Sequence, residues 1–314
     1  MSSNLGGNAA THNQIQRKVT QPSCIGLLGL GNIKVCMRPG ILIKRLFPRS
    51  SARNVVRVSA YLPTDAYEFL SGKRKAVIPP RGMRFDGADN YIRMGTVGVN
   101  SLIELCDLQP HHSLLDVGCG TGRMALPLIE YFTTGSYEGF DIVPQWIDWS
   151  TKNITRWHPN LHFRFVDVYS RHYNSTGGVA ARDFVFPYRD GEFDCALLMS
   201  IFTHMLPDGI ERYIHELARV LRPGGKALIT ALLLNEKSLE GIDMGLSTFP
   251  LGHRLGTCRV VDNEFPETTI AIPESHLLSW FADAGLKAEI SYGSWSGRSD
   301  CRGLHDDIVV EKSS

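Results

Sequence analysis

From about residue 113 onward, short apolar blocks closed by acids or glycines alternate with stretches that are apolar at helical spacing, which predicts an α/β domain. Leu114-Leu115-Asp116-Val117 reads as a short buried strand ending at a turn, where Gly118, Gly120 and Gly122 alternate before Arg123-Met124-Ala125-Leu126 opens a helix. Tyr137 to Asp141 is a second strand closed by an acid, and Leu161 to Asp167 a third, closed the same way. Phe193 to Ser200 is nearly continuous in apolar residues, the pattern of a central parallel strand covered on both faces. Arg219 to Lys226 ends a helix at a Pro223-Gly224-Gly225 turn and leads into a fifth strand through Ala227-Leu228-Ile229-Thr230. Glu274 to Gly285 reads as a helix stopped by glycine, Leu286 to Ile290 alternates as a sixth strand, and Ile308-Val309-Val310 is the last apolar run. Ahead of all these, Ser101 to Leu105 belongs to an amphipathic helix preceding the first strand.

The glycine turn carries the first chemistry. Three glycines so close permit positive φ and let a ligand lie against bare backbone, while the first N–H groups of the next helix point at it. A nucleotide-like cofactor is the natural occupant. The dinucleotide fingerprint G-x-G-x-x-G needs a third glycine where Arg123 stands. An acid followed by G-x-G-x-G, as in Asp116 to Gly122, instead resembles motif I of the class I S-adenosylmethionine-dependent methyltransferases. The acids Asp141 and Asp167 at the next two strand ends, and the Pro-Gly-Gly turn, extend the resemblance over about residues 85–311.

That resemblance implies a Rossmann-like α/β fold: a seven-stranded, mostly parallel sheet in the order 3-2-1-4-5-7-6, with helices on both faces and an antiparallel seventh strand. It implies S-adenosylmethionine as cofactor and a binding set of Asp116, Gly118, Cys119, Gly120, Gly122, Asp141, Ile142, Asp167, Val168 and Ser200. Asp116 and the loop glycines would hold the methionine end, Asp141 the ribose hydroxyls, and Asp167 the adenine amino group with Val168 beside the ring. The implied activity is methyl transfer to a small-molecule or glycan acceptor, on oxygen. The competing reading is a non-catalytic member of the fold that acts as a binding module. A hydroxyl acceptor needs a base, and His204, just after the fourth strand, is the first to consider; its alternative is a hydrogen-bonded loop histidine. Ser200-Ile201-Phe202-Thr203 stands where amino methyltransferases of nucleic acids often carry N-P-P-Y or D-P-P-Y, which argues against a nucleic-acid base as acceptor.

Two stretches, about 168–192 and 235–273, exceed ordinary connection lengths and are expected at the ligand edge of the sheet, where they would set acceptor specificity. Within or near them, His253, Asp262, Glu264 and the Tyr292–Arg298 segment are further acceptor candidates. Tyr91, Arg93 and Met94, ahead of the first strand, read either as lid contacts or as simple packing.

Composition adds boundaries. A chain of 314 residues, 43% apolar, can bury one large α/β core plus appendages. The expected organisation is a basic, partly disordered extension over 1–80 and a methyltransferase-like domain over 81–314. Seven cysteines without a C-x-x-C pair indicate neither a disulfide framework nor a zinc site, so no metal is expected and a reducing cytoplasm is the simplest compartment. The net charge of +1 does not single out a polyanionic partner, yet residues 1–64 contain no Asp or Glu. That stretch reads as a transit peptide, a basic arm or a poorly ordered extension. Ile41 to Phe47 could make weak contact with a membrane surface, or pack on the domain. Gly26 to Gly31 echoes a glycine loop but lacks the helix and the acid that would follow.

Overall fold

The computed structural model describes residues 50–72, 76–84, 88–299 and 301–313. The apolar stretch at 41–47, the glycine run at 26–31 and most of the basic extension lie outside them. In chain order the strands are β1 (Ser113–Val117), β2 (Ser136–Asp141), β3 (Leu161–Phe165), β4 (Phe193–Leu198), β5 (Leu221–Ala231), β6 (Leu233–Leu234), β7 (His253–Leu255), β8 (Cys258–Val260), β9 (Ile270–Pro273), β10 (Leu286–Ser291) and β11 (Asp306–Lys312). Seven of them form one sheet in the order β10-β11-β5-β4-β1-β2-β3. β1 pairs parallel with β2 and β4, and β2 with β3, while β11 runs antiparallel between β5 and β10. This is the expected order, with β10 and β11 as the sixth and seventh strands of the sheet.

The pleat explains why near-continuous apolar runs were needed. Successive side chains of a strand point to opposite faces. In β1, Leu115 joins one core with Phe140, Ala196 and Leu198, whereas Leu114 joins the other with Cys195, Leu197 and Leu228. The first core is covered by the helices Pro207–Val220 and Glu274–Asp283, the second by Ala88–Cys106 and Ala125–Tyr131. Helix Pro207–Val220 starts with Pro207, whose missing N–H costs nothing there, and buries Ile210, Ile214 and Leu217 as one stripe. Each such side chain, fully buried, contributes about 1.5–3 kcal/mol.

Three features differ from the sequence expectation. Pro223-Gly224-Gly225 is not a turn ahead of β5 but part of it: the pairing jumps from Phe193↔Leu221 to Cys195↔Lys226, a bulge that Gly224 permits with φ of +73°. The 235–273 connection carries three short strands that, with β6 just ahead of it, form a second sheet in the order β6-β9-β8-β7. Finally, part of the extension is helical, over Ser50–Leu70. From that helix Asp65 accepts the N–H groups of Arg81 and Gly82, and Glu68 pairs with Arg81 and Arg84, both at 2.7 Å. Among the described residues no helix is long and apolar enough to cross a membrane.

Candidate functional site

The turn after β1 is a left-handed staircase, with φ of +74° at Gly118, +57° at Gly120 and +75° at Gly122. Each glycine has its own reason. A Cβ on Gly118 would collide with Ile201, and one on Gly122 would stand 2.8–2.9 Å from Ile154 and Phe163. A Cβ on Gly120 would meet nothing within 4 Å, so there the backbone is bare toward open space. Asp141, at the end of β2, sets this geometry: its Oδ2 accepts the Gly120 N–H and its Oδ1 the Val143 N–H, both at 2.9 Å. Burial pushes the Asp141 carboxyl up to about 6, against the pull of those N–H groups.

Asp116 is 3% exposed and accepts the Tyr137 hydroxyl at 2.7 Å. Burial raises it to about 7, a rise that the Tyr137 bond opposes. Tyr91 braces the turn from the preceding helix, donating to the Thr121 carbonyl at 3.0 Å, with the Thr121 hydroxyl 2.9 Å away. Of the two readings for Tyr91, the structure gives it the packing one. Arg93 is exposed and donates to Asn90.

A cavity of about 710 Å³ opens at the carboxyl ends of these strands, within the ordinary range for ligand pockets. Gly118, Asp141, Ile142, Val168, Ser200 and His204 all line it. The remaining candidates stand outside that wall. Cys119 is buried in the core beneath the turn, beside Asp116 and Gly122, and Gly120 is reached through the Asp141 carboxylate. Asp167 is exposed and spends its carboxylate on its own loop, accepting from Gly178 N at 3.1 Å and Asn174 Nδ2 at 3.4 Å.

Ser200 ends the strand run in the left-handed region, φ +59°, a costly conformation for a residue with a Cβ, and its N–H donates to Thr230 Oγ1 at 2.7 Å. His204 closes a short turn, Phe202–His204, with Nδ1 3.1 Å from the Glu267 carbonyl oxygen. Only the tautomer with a proton on Nδ1 makes that bond, and it leaves the lone pair on Nε2. The Tyr173 ring meets the imidazole edge-on at 5.8 Å.

Both long connections reach the cavity: Tyr169, Ser170 and Tyr173 come from the first and Glu267 from the second. They are clasped together. Arg171 donates to the Glu264 carbonyl and lies 4.4 Å over the Phe265 ring, and Ser170 Oγ is 3.5 Å from the Glu267 carboxylate. That carboxylate also accepts the N–H groups of Arg171 and His172, and burial raises it above the usual carboxylate range. Sequence reasoning missed Glu267, because a lone acid after Pro266 in a long connection carries no motif. The other candidates do not line the cavity. His253 is exposed on β7, and Asp262 caps its own turn through Glu264 N and Phe265 N. Trp295 is fully buried with its Nε1 on Asp306 at 2.7 Å, and Arg298 lies 4.2 Å over Tyr292.

Residues 114–225 match the family model described as a methyltransferase domain. The chain is 29% identical over 152 residues to a fatty-acid O-methyltransferase of Mycolicibacterium smegmatis, covering 48% of each protein. It is 25% identical over 118 residues to the tRNA N(3)-cytidine methyltransferase METTL2 of Gallus gallus, covering 38% of this chain and 30% of that one. The chain thus spans about half of the first relative and less than a third of the second. Among solved structures, the PH0226 protein of Pyrococcus horikoshii OT3 shares the fold with a TM-score of 0.50 at 16% identity, over 73% of this chain and 93% of that one. The glycine staircase, the acid that holds it and the antiparallel last strand agree with that match: residues 114–225 correspond to a methyltransferase domain, and the surrounding sheet has the fold that the resemblance to class I S-adenosylmethionine-dependent methyltransferases implied.

Proposed function

We propose that this chain is an S-adenosylmethionine-dependent methyltransferase acting on a small-molecule or glycan acceptor, at oxygen. One observation carries the reading. A single cavity joins the strand-end residues Gly118, Asp141, Ile142 and Val168 to His204 and to polar side chains of both long connections. The residues fit the cofactor: bare backbone at Gly120, a buried acid at the end of β2, and apolar Ile142 and Val168 for a flat ring. When bound, S-adenosylmethionine supplies a methyl group on a positively charged sulfur.

The chain's own residues do the rest. Backbone N–H groups of Gly120, Val143 and Ile142 hold the Asp141 carboxylate in place at the cavity wall, and its remaining acceptor capacity is offered to the ribose hydroxyls. Met199, Ile201 and Trp146 keep water from the transfer path. His204, its Nδ1–H held by the Glu267 carbonyl, takes the acceptor's hydroxyl proton at Nε2. General base help of this kind is worth about 10²–10⁴-fold. Ser200 to Thr203 speak against a nucleic-acid base as acceptor, although one relative is a tRNA methyltransferase. The basic segment ahead of Asp65 adds a weak membrane-surface contact.

Calorimetric titration with S-adenosylmethionine, S-adenosylhomocysteine and NAD tests the site, and labelled methyl transfer to hydroxylated small molecules, glycans and fatty acids tests the acceptor. Micromolar binding of the two adenosyl ligands without NAD, followed by transfer to a hydroxyl, is the expected result. Binding without transfer to any acceptor turns the chain into a binding module, and NAD binding alone overturns the reading.

A further inference from the structure

Glu267 is the one acidic group that the second long connection adds to the cavity. It is not a loose surface side chain. The N–H groups of Arg171 and His172 donate to its carboxylate, and Ser170 Oγ lies 3.5 Å from Oε2. These neighbours fix the orientation of the carboxylate, and its remaining acceptor capacity is offered to the cavity. A fixed acceptor costs little to use when a partner arrives, because no side-chain entropy is lost.

The surroundings narrow what that partner can be. The cavity wall next to Glu267 consists of Ser170, Tyr173 and His204, two hydroxyl-bearing side chains and an imidazole. The nearest fixed cation, Arg171, is turned to the Glu264 carbonyl and the Phe265 ring, and does not line the cavity. Arg182, which does, sits between Asp183 and Asp208, at 3.7 and 3.5 Å. Arg123 also lines the cavity, at the glycine turn beside Gly118, with Asp141 and Ser200 at the strand ends; most of the remaining wall is apolar or aromatic, with Trp146 packed edge-on against Tyr173 at 6.3 Å.

We propose that Glu267 selects the acceptor, accepting a hydrogen bond from a neutral hydroxyl on a largely apolar or aromatic molecule and rejecting one that presents a carboxylate. This rests on the methyltransferase reading above and names its substrate class. Specificity of this kind comes mainly from repulsion: a carboxylate placed against Glu267 would bring two negative charges together in a partly buried place, where Arg171 is turned to Glu264 and Phe265 and Arg182 is already paired with Asp183 and Asp208. The raised proton affinity that burial gives Glu267 makes it a stronger acceptor for a hydroxyl. Glu267 is then a specificity residue, while its backbone carbonyl orients His204.

The test uses the full chain loaded with S-adenosylhomocysteine and three matched probes, 4-hexylphenol, 4-hexylbenzoate and 4-hexylbenzylamine, titrated by calorimetry with intrinsic tryptophan fluorescence as a second signal. Wild-type protein is expected to bind the phenol at least tenfold more tightly than the benzoate. Glu267→Gln, which keeps the shape and removes the charge, is expected to shrink that preference at least fivefold, mostly by improving the benzoate, with S-adenosylhomocysteine affinity unchanged within twofold. Ser170→Ala keeps the charge, so the phenol should bind more weakly there while the discrimination against benzoate persists. Equal binding of phenol and benzoate to wild type, tightest binding of the amine, no binding of any probe, or an unchanged ratio in Glu267→Gln would each overturn the assignment. Loss of S-adenosylhomocysteine binding by wild-type protein is a separate outcome: it sinks the methyltransferase reading, and the selection argument with it. The wild-type ratio stands as evidence even if a variant fails to fold.

Discussion

In Asp141→Ala the Gly120 and Val143 N–H groups lose oxygens that they now hold at 2.9 Å. Two consequences follow, and they differ in size. For stability, each N–H left unpaired in a buried place costs about 1–3 kcal/mol. Against this stands the cost of the charge itself. Even with those bonds the carboxyl rises from its ordinary 3.8 to about 6, so holding it ionised costs about 3 kcal/mol net. The two nearly offset, and the variant should lose at most about 3 kcal/mol in equilibrium urea denaturation. For the cofactor, the two charge-assisted bonds proposed between Asp141 and the ribose hydroxyls would be worth about 2–4 kcal/mol, or roughly 30- to 1000-fold in Kd. Calorimetry with S-adenosylhomocysteine on variant and wild type reads that number directly. Affinity within about twofold of wild type would refute the ribose assignment. A stability loss above about 5 kcal/mol would show that the carboxylate serves mainly to hold the turn.

Three other substitutions probe separate claims. Glutamine at His204 is expected to lower kcat by about 10²–10⁴-fold while leaving S-adenosylhomocysteine affinity within twofold; a drop below about tenfold removes His204 as the base. Asp116 is raised in the folded chain from an ordinary 3.8 to about 7, so the folded form binds more protons between those values. Its stabilising share is complete below about pH 4 and is lost as pH rises through about 7. Asp116→Asn should therefore flatten the fall of the denaturation midpoint between pH 5 and 7.5, and an unchanged slope contradicts the assignment. Asp306, 1% exposed, accepts from Leu233 N, Gly293 N and Trp295 Nε1 at 2.7–2.8 Å. Asp306→Ala should cost about 3–5 kcal/mol, and a cost under about 1 kcal/mol would mean water replaces the carboxylate.

The large sheet was legible because its strands announce themselves twice, by apolar runs and by what closes them. Leu114 to Val117 ends at glycines and Tyr137 to Asp141 at an acid, and both ends lie at the cavity edge. The order of the strands came from family resemblance, since periodicity says nothing about which neighbour β11 chooses. The second sheet was not legible, because β6 to β9 are only two to four residues long and too short to establish a period of two. Trp295 belongs to the Tyr292–Arg298 segment, whose glycines, serines and aromatic rings made it an acceptor candidate. Its full burial depends on Asp306, eleven residues away, which no local pattern reveals. Glu267 was missed for the same reason: its partners, Ser170 to His172, are nearly a hundred residues earlier.

The position of β11 has a consequence for how the chain is made. β5 is paired with β4 on one side, but its other edge waits for residues 306–312. About 75 residues separate Ala231 from Asp306, and at roughly 5–20 residues per second a ribosome takes about 4–15 s to supply them. During that interval the nascent chain carries an open edge along Ala227, Leu228 and Ile229, and such an edge can pair with another chain. Ribosome-arrested chains ending near residue 290, with β5 clear of the exit tunnel and β11 not yet made, should be cut by protease around β5, whereas released full-length protein should resist. Yield in a cell will therefore depend on how well that edge is shielded while the last strand is still being translated.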